Sequence, residues 1–98
     1  MRRPALSQDD AESIAYAGLA MMAGEPERMA RFMSLSGLDP AQIRQLAATR
    51  AFQTAILAHI RGDESLLLAF AANQGIDPSQ VELAEVVLSG NARLQISS

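Results

Sequence analysis

The sequence predicts an all-α fold, a compact six-helix orthogonal bundle, and three observations carry that prediction. First, 49% of the 98 residues are apolar, yet alanine supplies 18 of them and aromatics only Tyr16, Phe32, Phe52 and Phe70. Chains rich in alanine and aliphatic side chains favour closely packed helices. Second, glycine and proline punctuate the chain at helix-length intervals, with Gly24, Gly37, Gly62 and Gly75 as stops and Pro26, Pro40 and Pro78 as starts. Third, at an offset of 38 residues the chain aligns with itself without gaps. Nine identities result: Ala17/Ala55, Leu19/Leu57, Ala20/Ala58, Gly24/Gly62, Phe32/Phe70, Gly37/Gly75, Asp39/Asp77, Pro40/Pro78 and Gln42/Gln80. A period of that size belongs to the range of helical repeats. The chain therefore reads as two tandem three-helix units, 13–50 and 51–88, in one domain over 7–90, with 91–98 as a flexible tail. Two copies are too few for an open solenoid, so the units are expected to close about a pseudo-two-fold.

The elements follow in order. Ser7 can cap the first helix, with Asp10 three residues on, and Gly24 supplies a left-handed stop. Its expected buried stripe is Ile14, Ala17, Gly18, Met21 and Met22. Glu25-Pro26 opens a second helix with Met29, Phe32 and Met33 inward and Arg28 and Arg31 outward, until Gly37. Asp39-Pro40 starts a third, burying Ile43, Leu46 and Ala47. Its end is predicted near Thr49 or Arg50 from the repeat alone, because 47–52 holds neither glycine nor proline. The fourth carries Phe52, Ile56 and Ile60 inward and stops at Gly62. Asp63 caps the fifth, with Leu66, Leu67, Phe70 and Ala71 inward. Residues 66–72 are apolar on every side, which predicts that this helix is the enclosed, central one. After Gly75, Asp77-Pro78 opens a sixth with Val81, Ala84 and Leu88 inward, ending at Ser89-Gly90.

Composition excludes much chemistry. The absence of cysteine removes disulfides, thiolate nucleophiles and thiolate metal sites, and the absence of lysine removes Schiff-base chemistry. His59 is the sole histidine, so a zinc site would need carboxylates for its other ligands, and neither a metal site nor a cofactor is expected. His59 lies at a helix C-terminus, where the dipole favours the protonated ring, yet Met21 holds the matching place in the first unit. That equivalence points to a packing role. The carboxylate pairs Asp9-Asp10, Glu25/Glu27 and Asp63-Glu64 all fall at helix starts, and no phosphate loop or nucleophile triad is present. Arg2 and Arg3 precede an apolar stretch at 14–24 in the order of a signal peptide. The intervening Asp9, Asp10 and Glu12 do not fit one, and 11 residues fall short of the ~20 that span a bilayer. A cytoplasmic protein without membrane association is expected.

The runs from Glu25 to Phe32, Gly37-Leu38-Asp39-Pro40, Asp63 to Ala72 and Gly75-Ile76-Asp77-Pro78 resemble a small, mostly alphaproteobacterial family catalogued as domain of unknown function 3572. The resemblance covers roughly residues 12–88. It implies a stand-alone helical protein from bacteria and carries no activity, cofactor or site residue with it.

Two functional readings remain. Met21, Met22, Met29 and Met33 converge around Phe32, and a partly exposed methionine cluster makes an adaptable groove for a partner helix. At helical spacing, methionines also serve as core filler. The small-residue line Ala11, Ala15, Gly18 permits close helix approach inside the fold or across a homodimer. These features favour a non-enzymatic protein-interaction module. The alternative is a helix-turn-helix-like nucleic-acid binder using Arg28, Arg31, Arg44 and Arg50, its turns being the two Gly-apolar-Asp-Pro segments. Net charge of −3 without lysine opposes that alternative, since phosphate contacts supply most of the affinity for DNA. Charge is uneven: 13–50 carries +1 and 51–88 carries −4, so complementary halves could pair between chains or an acidic face could meet a basic partner.

Overall fold

Six helices form in chain order among the described residues, and all but the shortest begin at a residue that satisfies otherwise unpaired backbone N–H groups or lacks one. The computed structural model describes the backbone of residues 6–97 and the side chains of residues 6–39 and 41–89. The helices are α1 (Gln8–Ala23), α2 (Pro26–Ser36), α3 (Ile43–Leu46), α4 (Arg50–Arg61), α5 (Glu64–Gln74) and α6 (Pro78–Ser97), with a 3₁₀ turn at Pro40–Gln42. No strand occurs among the described residues, and the fold is an all-α bundle. The Ser7 hydroxyl accepts from the Asp10 N–H at 3.0 Å, Thr49 from Phe52 at 3.2 Å and Asp63 from Leu66 at 3.2 Å. Pro26, at the start of α2, has no N–H to satisfy.

The two halves share local geometry at equivalent positions. Gly37 and Gly75 both adopt left-handed backbone, at φ 69° and 70°. In each, the N–H of the glycine and of the next residue returns to the preceding turn, Leu38 to Met33 and Ile76 to Ala71. Nothing lies within 4 Å of an added Cβ at either site, so Gly75→Ala costs backbone strain alone. We expect about 1 kcal/mol in urea denaturation. Gly24 and Gly62 depart from the expected left-handed stop. Both are right-handed, because only two residues separate each helix from the next, and the N–H of each still bonds carbonyls of the preceding turn. Asp39 and Asp77 each accept a backbone N–H two residues on, from Ala41 at 3.0 Å and Ser79 at 2.9 Å.

The third elements of the halves differ. Where a helix from Pro40 to about Thr49 was expected, there is a 3₁₀ turn and then the single turn of α3, while its counterpart α6 has 20 residues. Two interactions end α3. Thr49 gives its hydroxyl both to the Leu46 carbonyl at 2.7 Å and to the cap of α4. The Gln53 amide, buried in α4, reaches back to the Ala47 carbonyl at 3.1 Å. The break therefore falls at 47–49, close to the expected position, but Ile43, Leu46 and Ala47 end half-buried. The expected stop at Ser89-Gly90 is absent, since α6 continues to Ser97. The looseness expected of a tail at 91–98 lies outside the described side chains.

The core also differs from expectation in its centre. α4 buries Phe52, Gln53, Ile56, Leu57 and Ile60 and packs against α1, α2, α5 and α6. α5 buries Leu66, Phe70 and Ala71 but leaves Leu68 50% exposed and Ala69 and Ala72 in solvent. Uniform apolarity misled here, because exposed leucines and alanines are ordinary on protein surfaces. The fully buried line of α1 is Ala11, Ala15, Gly18 and Met22, with Ile14, Ala17 and Met21 half-buried beside it. Gly18 sits against α4: an added Cβ would lie 2.7 Å from Ile60 Cδ1 and 3.1 Å from Ile56 Cγ2. The small-residue line thus serves close packing inside the fold. Val81, Ala84 and Leu88 of α6 are buried as expected and complete the core.

Candidate functional site

A groove remains beside α2. An 11-residue helix faced by a single-turn α3 leaves apolar side chains that no later element covers, and they line an open cleft of about 650 Å³. Its walls are Ala23 at the end of α1, Pro26, Met29, Ala30, Met33 and Ser34 on α2, and Leu38 and Ile43 across from them. The two methionines are anchored differently: Met33 is buried at the groove floor, while Met29 is half-buried and flexible enough to follow an occupant's shape.

Of the five residues expected to meet a partner, the structure brings only Met29 and Met33 to this groove. Met22 and Phe32 are buried in the core, with Phe32 against Phe52 and His59 of α4, and Met21 is half-buried against that core. For these three residues the filler role holds, and a partner cannot reach Met22 or Phe32 in the folded chain. The groove residues Pro26, Ala30, Leu38 and Ile43 escaped sequence reading as a site. Their shared surface depends on α3 ending after one turn, which the Asp39-Pro40 start signal does not reveal.

The four arginines do not form one surface. Arg28 is tied to Glu25 by a 2.9 Å ion pair and lies 4.0 Å from Asp63. Arg31 shares with it a shallow cleft at the start of α2, lined also by Glu25 and Glu27, so bases and acids there are balanced. Arg44 is on α3 and Arg50 opens α4. A recognition helix must lie along the major groove, and the four residues of α3 span only about 6 Å. The stretch expected to read bases is thus interrupted at 47–49.

His59 is a packing residue with a perturbed charge. Its ring meets Phe32 edge-on at 5.2 Å between centroids, and Phe32 meets Phe52 likewise at 5.8 Å. Burial pushes the imidazole pKa below its ordinary value of about 6.5. Asp63 opposes the shift, while Arg28 and Arg31 add to it. The helix dipole expected to favour the charged ring is outweighed. The neutral ring is preferred in the folded state, so the unfolded chain binds a proton first as pH falls. Stability from this site is complete above pH ~6.5 and declines as pH drops through the depressed value. We expect the urea midpoint to fall less steeply between pH 7 and 5 in His59→Leu than in the parent.

Gln53 is a buried polar residue that no sequence signal marked. Its amide donates to the Tyr16 hydroxyl at 3.3 Å as well as to Ala47, joining α1 to the break before α4. Its Oε1 and the Thr54 hydroxyl are buried without a partner among the described residues. No group of three or more His, Cys, Asp or Glu among the described residues is placed to hold a metal ion, and none of the described helices is long and apolar enough to cross a membrane.

One family model matches most of the chain. Residues 8–91 match the description "Protein of unknown function (DUF3572)". The chain belongs to the DUF3572 family. The match takes in all of α1 to α5 and α6 as far as residue 91, so the groove lies wholly within the DUF3572 unit. Comparison with curated proteins and with solved structures found no match.

Proposed function

We propose that this DUF3572 chain is a small non-enzymatic protein-interaction module of the bacterial cytoplasm, and that the α2–α3 groove is its working surface. One observation carries the reading: an open cleft of about 650 Å³ walled by Pro26, Met29, Ala30, Met33, Leu38 and Ile43, with Ser34 as its single polar side chain. Cavities of this size and lining accept apolar side chains, and methionine walls adapt to them. Support for a non-catalytic role comes from composition, which lacks thiols and amines, and from His59, whose ring is engaged with Phe32.

The test is site-specific photo-crosslinking in cells from Ser34, which is exposed and lines the groove. We expect a discrete protein adduct that disappears in Ala30→Asp, a substitution at an exposed groove position that leaves the core untouched. A Ser34 adduct indifferent to Ala30→Asp, or no adduct above that from Ser65 on α5, would overturn the reading.

A further inference from the structure

Resting on the reading of the groove as a docking surface, we propose that its occupant is a second copy of this chain, which lays the outer face of its α6 into the cleft. α6 buries Val81, Ala84 and Leu88 on one side and presents Leu83 and Val86 on the other, 41% and 47% exposed and one turn apart. Apolar residues at that spacing are what a helix presents when it enters a groove. Within one chain neither surface covers the other, and a contact between copies sets the groove of one against the α6 face of the next.

Charge selects the pairing. Arg44 follows the groove residue Ile43 on α3; it is exposed and has no carboxylate within 4.0 Å among the described residues, whereas Arg31 belongs to the balanced cleft at the start of α2. Glu82, beside Leu83, is exposed and equally unpaired among the described residues. The groove lies in the half of charge +1 and α6 in the half of charge −4. Contact between two acidic halves is repulsive, whereas groove against α6 is attractive. The two surfaces are different patches, so the contact is head-to-tail. It closes as a dimer when both pairs form at once and otherwise extends with concentration.

The experiment uses the full purified chain in sedimentation velocity from micromolar to millimolar concentration, with the Ser34 photo-crosslinker to map the contact. We expect mass above that of one chain, with adducts joining residue 34 to residues 79–89 of another copy. Val86→Asp, on the exposed face, lowers association about tenfold or more. Arg44→Glu lowers it about two- to fivefold, and Glu82→Arg in the same chain restores it. A single-chain mass throughout, adducts outside α6, or association unchanged by Val86→Asp overturns the proposal. If the purified chain stays single while Ser34 still captures another protein in cells in an Ala30-dependent way, self-association fails and the groove reading stands. If neither experiment yields an adduct, both fail.

Discussion

Phe70→Ala destabilises the fold by about 3–5 kcal/mol, the largest loss expected from any one truncation. The ring is fully buried where α5 meets the interior, and its tip lies 3.8 Å from the Cβ position of Gly18 on α1, so its removal opens a cavity between α1 and α5. Two neighbours calibrate the measurement. Leu67 is half-buried and Leu68 half exposed, so Leu67→Ala costs about 1–2 kcal/mol and Leu68→Ala less than about 0.5 kcal/mol. Equal losses at 67, 68 and 70 in urea denaturation would mean that α5 is enclosed on all sides, as its composition alone suggests.

Gly18→Leu is the second large effect, a loss of about 3 kcal/mol or more from overpacking. α1 lies so close to α4 that even a methyl group at 18 would touch Ile60 Cδ1 at 2.7 Å and Ile56 Cγ2 at 3.1 Å. Gly18→Ala is a finer probe. The gain in helix propensity, about 1 kcal/mol, opposes the clash, and Ile60 Cδ1 is the mobile end of its side chain. Removing that atom with Ile60→Val should make Gly18→Ala more favourable than it is in the parent. A thermal-denaturation cycle over the four variants measures the coupling, and additivity within about 0.3–0.5 kcal/mol would contradict the close approach.

Most helix boundaries were legible because they are written in residues with one backbone job. Ser7, Asp63, Pro26 and the left-handed glycines at 37 and 75 act locally, whatever packs around them. The end of α3 was harder. Thr49 can sit inside a helix or cap one, and its choice depends on the Gln53 amide arriving at Ala47 from the next helix, a contact no local pattern encodes. Burial was read well where large and polar residues alternate, as with Phe52, Ile56 and Ile60. It failed on α5, where leucine and alanine occupy both faces and periodicity carries no direction. The site followed the same division. Its methionines were visible as a cluster, but whether each faced the core or the groove was set by the rotation of α1 and α2 about their axes.

The position of α4 in the middle of the chain bears on how the molecule assembles. Its contacts with α5 and α6 span short stretches of sequence, so they can form early at little loop-closure cost. α1 must then return across the α2–α3 stretch to reach α4 and α6, a step that gains only once those two are in place. α2 packs less extensively against the rest of the core than α4 does, so under native conditions its amides should exchange faster than those of α4. The groove is then built on a helix less protected than α4, and whatever occupies it also lengthens the lifetime of the closed fold.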